Sequence, residues 1–478
     1  MASVPRLIRH ASLLLSLALA GALAACKPDV APPPPSTPTT ATVGDAATPS
    51  APHPIAMAAR TASHGSRPTG LPDTRPALAF AAASDDGSNN DARNGSVGDV
   101  MLQGFHWTSS RSNNPGWYQI VQQNADTIKD AGFTLVWFPP PSKTADDQGY
   151  LPNEWNHLDT RYGSKQQLKD AIAALRPAKA LADIVINHRT GTATAGADFT
   201  NPAFGDDDVN RGAVVSNDEC GCGTGGNDSG TSIDPAGRDL NHDHPAVQRE
   251  VKQWLRMLKD DVGFAGWRYD MVKGYNGRFV ADYNDDSRPY FSVGECWDDE
   301  RQVVAWWVDA TRGKSTAFDF PTRTHLKEAV ARREFGRLKT IDGKPTGLIG
   351  WWPQMSVTFI ENHDTEADHF NVVFGDGDQV MQGYAYILTH PGIPCVFWTH
   401  YFDWGQDKQD RIKRLIRIRR ESGIGRDSVV DIREADGGRY AAVIDGRVAV
   451  KIGPGPWDPG AGWTAATSGN DYAVWIRQ

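Results

Sequence analysis

Eight apolar runs between residues 100 and 398, most of them separated by helix-like stretches, restrict what this chain can become more than any other feature. They are VMLQGFHW (100–107), FTLVWFPP (133–140), ALADIVINH (180–188), GFAGWRYDMV (263–272), FSVGECW (291–297), STAFDF (315–320), MSVTFIENHD (355–364) and GIPCVFW (392–398). Nearly continuous apolar runs fit strands buried on both faces, as in parallel sheets. Intervening stretches such as GWYQIVQQNADTIKDAG (116–132) and PAVQREVKQWLRMLKDD (245–261) read as helices. Eight such strand–helix units predict an α/β fold closed into a (β/α)8 barrel, occupying 95–187 and 241–423. About fifty residues rich in Gly, Asn and Asp interrupt the rhythm after the third run, so residues 188–240 are expected to form an inserted irregular domain. Beyond the helix-like RIKRLIRIRRESG (411–423), the tail alternates at period two around Asp-Gly turns. Residues 424–478 are therefore expected to be an antiparallel β domain.

Three acids stand in or near the ends of separate apolar runs: Asp270 in GWRYDMVKGY, Glu295 in FSVGECWD and Asp364 in VTFIENHDT. In a barrel of this kind the C-terminal strand ends carry the active site, so these acids are expected to meet over one mouth. One such acid is readily explained as a helix cap or a partner of a local base, but three are not. Paired carboxylates at a barrel mouth suit glycoside hydrolysis, one as nucleophile and the other as proton donor. Strand alternation puts Arg268 on the same face as Asp270, where its fixed charge would hold that carboxylate ionised. Glu295 lies beside Trp297 with no base adjacent in sequence, a setting that raises a carboxyl pKa.

The first residues address the chain rather than fold it. Arg6 and Arg9 precede the short apolar run ASLLLSLALAGALAA, which ends in LAAC. That ending resembles a bacterial lipobox, with Cys26 as the lipidated residue; an ordinary signal peptide cut after Ala24 is the alternative. Residues 1–25 are thus expected to be a signal peptide. Residues 26–94, rich in Pro, Ala, Ser and Thr, are expected to be a disordered tether. Export places the cysteines where disulfides form, and Cys220 and Cys222 would bridge each other only in a tight ring. A net charge of −9 gives no support to a nucleic-acid partner.

The motifs ADIVINH, GWRYDMVKGY, VGECWD and FIENHDT together resemble the four signature regions of the alpha-amylase superfamily of glycoside hydrolases. The stretches GLIGWWPQMSVTFIENHDT, VMQGYAYILTHPGIPCVFWTH and GNDYAVW extend the likeness to plant-type alpha-amylases, across residues 99–478. The resemblance implies retaining hydrolysis of alpha-1,4-glucosidic bonds. Asp270 would be nucleophile, Glu295 acid/base and Asp364 transition-state stabiliser. It implies sugar-binding roles for Tyr150, His188, Arg268, Lys273, Trp297 and His363, and a starch platform at Trp351 and Trp352. Trp457 matches the position of a sugar-binding tyrosine on the C-terminal domain of some relatives. It also implies a structural calcium (Ca2+) held by Asn187, Asp239 and the Gly274 carbonyl, with Asp228 as a candidate from the insert; hard oxygen donors suit that ion. Leu151 departs from the methionine that plant enzymes often carry after the stacking tyrosine. Starch, amylose and maltooligosaccharides are the implied partners of a monomer whose only membrane contact would be a lipid on Cys26, at the outer membrane or cell surface if not secreted. The resemblance suits internal cleavage first, a fixed-length exo-amylase such as a maltotetraose-forming enzyme second, and a non-catalytic glucan-binding protein last.

Overall fold

The computed structural model describes residues 95–192, 196–218, 220–226 and 237–478. The expected signal and tether segments, Asp228 and Cys26 lie outside the described residues. Each of the eight apolar runs contributes one barrel strand: β1 (Met101–Gln103), β2 (Leu135–Trp137), β3 (Lys179–Ile184), β4 (Gly266–Tyr269), β5 (Phe291–Gly294), β6 (Thr316–Phe318), β7 (Ser356–Phe359) and β8 (Ile393–Phe397). They close in sequence order, β8 pairing with β1. Every neighbouring pair is parallel. Apart from Lys179 at the start of β3, every residue in these strands is buried. That burial is why the runs read as apolar throughout: one face packs inside the barrel and the other against the helices.

The polar residues inside the strands include a buried ion pair. Asp183 on β3 stands in register with Arg268 on β4, and both are fully buried. The stretch 116–132, expected as one helix, is two: Trp117–Gln123 and Ala125–Ala131. Asn124 divides them, its side-chain amide donating to the Ile120 carbonyl at 2.9 Å, a local bond that competes with helix continuation. The stretch 245–261 forms Pro245–Met257, with Pro at its first turn, then a wider turn at Leu258–Val262 that ends on Gly263 (φ 102°).

After β3 the chain leaves the barrel through His188–Arg189, which pairs antiparallel with Arg238–Asp239 on its return. Within this excursion Cys220 and Cys222 are joined in a disulfide. Cys296 and Cys395 are free and buried. The C-terminal sheet comprises β9 (Val430–Ala435), β10 (Tyr440–Ile444), β11 (Val448–Ile452), β12 (Trp463–Gly469) and β13 (Tyr472–Arg477), in the order β9-β10-β11-β13-β12. Its pairs are antiparallel. Asp445 and Gly446 turn β10 into β11 with φ of 50° and 66°, the left-handed backbone that hairpin turns need. Among the described residues no helix is long and apolar enough to cross a membrane.

Candidate active site

The strand ends bring the acids around one guanidinium. Arg268 Nη1 donates to Asp183 Oδ1 at 2.8 Å and to Asp270 Oδ1 at 2.7 Å, while Nη2 lies 3.0 Å from Glu295 Oε1. The Trp137 ring sits 4.9 Å from the guanidinium carbon and donates its own N–H to Asp183 Oδ2 at 3.1 Å. Asp270 follows β4 by one residue and Glu295 follows β5 by one, so neighbouring parallel strands set them side by side. Met271, next after Asp270, takes left-handed backbone (φ 43°, ψ 50°). That turn aims its N–H at Glu295 Oε2, 3.0 Å away. For a non-glycine residue the conformation costs about 1 kcal/mol, which the surrounding contacts must offset.

Glu295 therefore differs from expectation in one respect: a base absent from its sequence neighbourhood touches it from β4. Burial nevertheless raises its pKa, with Arg268 opposing and Asp270 adding to the rise. Asp364 is raised well above the ordinary range, by burial first and by Glu295 second. Burial thus favours the protonated form of both groups, and Glu295 adds to the rise at Asp364.

Asp364 lies beyond β7 in the turn that follows it, with His363 Nε2 at 3.5 Å and His369 Nε2 at 3.6 Å. Tyr150 lies parallel to His363 (ring centroids 5.2 Å, 10° between planes) and to Trp107 (6.3 Å, 8°). His188 donates from Nε2 to the Tyr150 carbonyl at 2.7 Å. Lys273 pairs with Asp298 at 3.0 Å, and Trp297 stacks on Phe320.

The proposed metal ligands converge as well. The Asn187 amide reaches Asp239 Oδ1 at 3.3 Å, and a methyl built on Gly274 would fall 1.7 Å from Asn187 Oδ1. Amide and carboxylate thus lie together beside Gly274, oxygen donors of the kind that suit a hard cation. Asp218, absent from the sequence reading, braces it: its carboxylate accepts from Arg238 Nη1 (2.6 Å) and from the Asp239 N–H (2.8 Å). Asp218, Cys220 and Cys222 also cluster, but with both sulfurs in the disulfide they offer no thiolates.

The tryptophan pair needs a correction. Trp352 is only 7% exposed and belongs to the core, while Trp351 is half-buried under the Arg301 guanidinium, 3.7 Å from its ring centroid. The short turns on either side, Leu348–Gly350 and Pro353–Met355, fold that loop down onto the barrel. Trp457 is half-buried and meets Trp475 edge-to-face at 5.6 Å. Sequence reasoning passed over Asp183, Gln103, Trp107 and Met271. Asp183 and Gln103 carried a usable signal, a polar residue inside an otherwise apolar strand run; Met271 carried none.

A parallel barrel with carboxylates gathered at its C-terminal strand ends defines an enzyme of the glycoside hydrolase class. Residues 421–476 match the family model described as alpha-amylase C-terminal beta-sheet domain. The chain is 39% identical over 397 residues to the probable alpha-amylase 2 of Arabidopsis thaliana, covering 79% of this chain and 94% of that protein. It is 32% identical over 384 residues to the glucan 1,4-alpha-maltotetraohydrolase of Stutzerimonas stutzeri, covering 72% and 66%. Among solved structures it is similar to the alpha-amylase of Geobacillus thermoleovorans complexed with acarbose (TM-score 0.61, 16% identity, 80% of this chain and 99% of that one), a likeness of fold. The chain belongs to the alpha-amylase family of glycoside hydrolases.

Proposed function

We propose that this enzyme cleaves internal alpha-1,4-glucosidic bonds of starch and related glucans with retention of configuration, through Asp270 and Glu295. The observation that carries the reading is the bridging of both carboxylates by Arg268. Two acids held by one guanidinium stand together at one mouth, which supports a nucleophile and acid/base pair; retention is read from the likeness to the alpha-amylase family. Arg268 engages Asp270 Oδ1. The other oxygen attacks the anomeric carbon as Glu295 gives its proton to the leaving oxygen. Glu295 then takes a proton from water, which releases the sugar from Asp270. Asp364 offers a hydrogen-bonding partner to the sugar hydroxyls and, in its ionised form, opposes the positive charge that develops at the anomeric carbon. Tyr150 and Trp107 supply ring faces for stacking, and His188, Lys273, Trp297 and His363 line the same mouth.

Asn187, Asp239 and the Gly274 carbonyl would hold a calcium ion, which supplies rigidity between the barrel and residues 188–240 rather than chemistry. Residues 1–25 export the chain, 26–94 tether it, and Cys26 carries a lipid at the outer membrane or cell surface. The barrel at 95–187 and 241–423 and the sheet domain at 424–478 then form one monomeric catalytic unit. Exo-cleavage to a fixed product is the second reading, favoured by the likeness to a maltotetraohydrolase. A time course on long amylose separates them. Viscosity falling ahead of reducing-sugar release supports internal cleavage, and one dominant early product would overturn it.

A further inference from the structure

Gln103, at the end of β1, lies at the barrel centre and is fully buried. Its Nε2 is 3.0 Å from His363 Nδ1. Across the ring, His363 Nε2 is 2.7 Å from the Tyr150 hydroxyl, which is itself 3.0 Å from Asp183 Oδ2. A phenol has one hydrogen to give, and here two acceptors compete for it. Two donors that cannot reverse, Arg268 Nη1 and the Trp137 N–H, point one at each of the Asp183 oxygens. Burial raises the Asp183 pKa to about 7 against the opposing Arg268; once ionised, the carboxyl can only accept, and a charged acceptor outcompetes a neutral ring nitrogen. The Tyr150 hydrogen therefore goes to Asp183, and His363 Nε2 must be the donor to Tyr150. Nδ1 is then bare, and only the amide nitrogen of Gln103 satisfies it. The same Nε2–H, bonded to Tyr150, leaves no lone pair facing Asp364 Oδ2 at 3.5 Å.

We propose that Gln103 is a positioning residue that locks His363 in the Nε2–H tautomer, so that the nitrogen facing Tyr150 and Asp364 carries the ring's hydrogen. Its use there rests on the reading of His363 as a sugar-binding group. Burial and the nearby Arg268 and His369 hold the His363 pKa well below the ordinary range, so a neutral ring has to be sorted between two tautomers and the amide does the sorting.

The test is nitrogen NMR on the full chain carrying 15N-histidine, the His363 signals being identified by their loss in His363→Gln. The wild type should show a bare Nδ1 and a protonated Nε2. Once ionised, at a pH above its own titration, Gln103→Glu offers only acceptor oxygens, so the proton should move to Nδ1, with kcat/KM on a short maltooligosaccharide falling roughly tenfold, the worth of one misdirected hydrogen bond in the transition state. Gln103→Met removes the donor without imposing an acceptor and should give mixed tautomers and a smaller loss. A protonated Nδ1 in the wild type overturns the proposal, as do unchanged nitrogen signals in Gln103→Glu. Should Gln103→Glu fail to fold, the wild-type spectrum and Gln103→Met decide alone. A tautomer switch with kcat/KM intact would uphold Gln103's hold on the ring and remove the sugar-binding role from His363, so the two readings fail separately.

Discussion

One guanidinium serves three carboxylates at the heart of this barrel, and a fourth acid stands just beyond its reach. The arrangement favours chemistry over stability. Burial raises the pKa of Glu295 and of Asp364, so each stabilises the fold fully only below the ordinary carboxylate range and loses that contribution as pH rises through its raised folded value. Asp364→Asn abolishes one of these titrations. Relative to the wild type it should gain stability at pH 7 and nothing below the ordinary carboxylate range. Denaturant melts at two pH values check this, and an equal or reversed difference at pH 7 would sink it. Glu295→Gln should likewise keep its fold while starch turnover drops by roughly 10²–10⁴, the usual worth of a positioned proton donor. Near-normal turnover would remove Glu295 from its role. Asp270 and Glu295 were legible because each acid follows an apolar run closely. Asp183 was less so: its run continues to His188, and nothing local says that Arg268 stands opposite in register. The turn at Met271 had no sequence signal, since the residue is neither Gly nor Asn.

At the scale of elements, the strand runs were plain because double burial makes them apolar over their whole length. Helix interruptions and loop burial were not plain, being set by partners distant in sequence. The Trp351–Trp352 loop is the clearest case. Pro and Gly neighbours suggest a surface platform, yet the turns around them press Trp352 into the core and leave Trp351 beneath Arg301. Trp352→Ala should therefore cost about 3 kcal/mol of stability, as large-to-small core changes do. Activity on a soluble oligosaccharide and adsorption to starch granules should decline together as the fold loosens. A selective loss of granule adsorption at unchanged stability would restore the platform.

For the whole molecule, the barrel, the excursion at 188–240 and the sheet domain meet the proposed functions at different depths. A calcium bound only by the folded chain adds stability by mass action, so chelator should lower the melting temperature and added calcium should restore it. Gly274→Ala puts a methyl against Asn187 Oδ1, so that variant should melt lower and respond to neither reagent. An unaltered calcium response in Gly274→Ala would move the site elsewhere. Trapping the glycosyl intermediate decides whether Asp270 attacks the sugar while Arg268 holds it. The chain should be incubated with a 5-fluoro-α-glucosyl fluoride, which slows release of the sugar, and its peptides examined by mass spectrometry. One glycosyl group should be found esterified to Asp270 within residues 266–275; a label on Glu295, on Asp364 or on no residue would remove Asp270 as nucleophile.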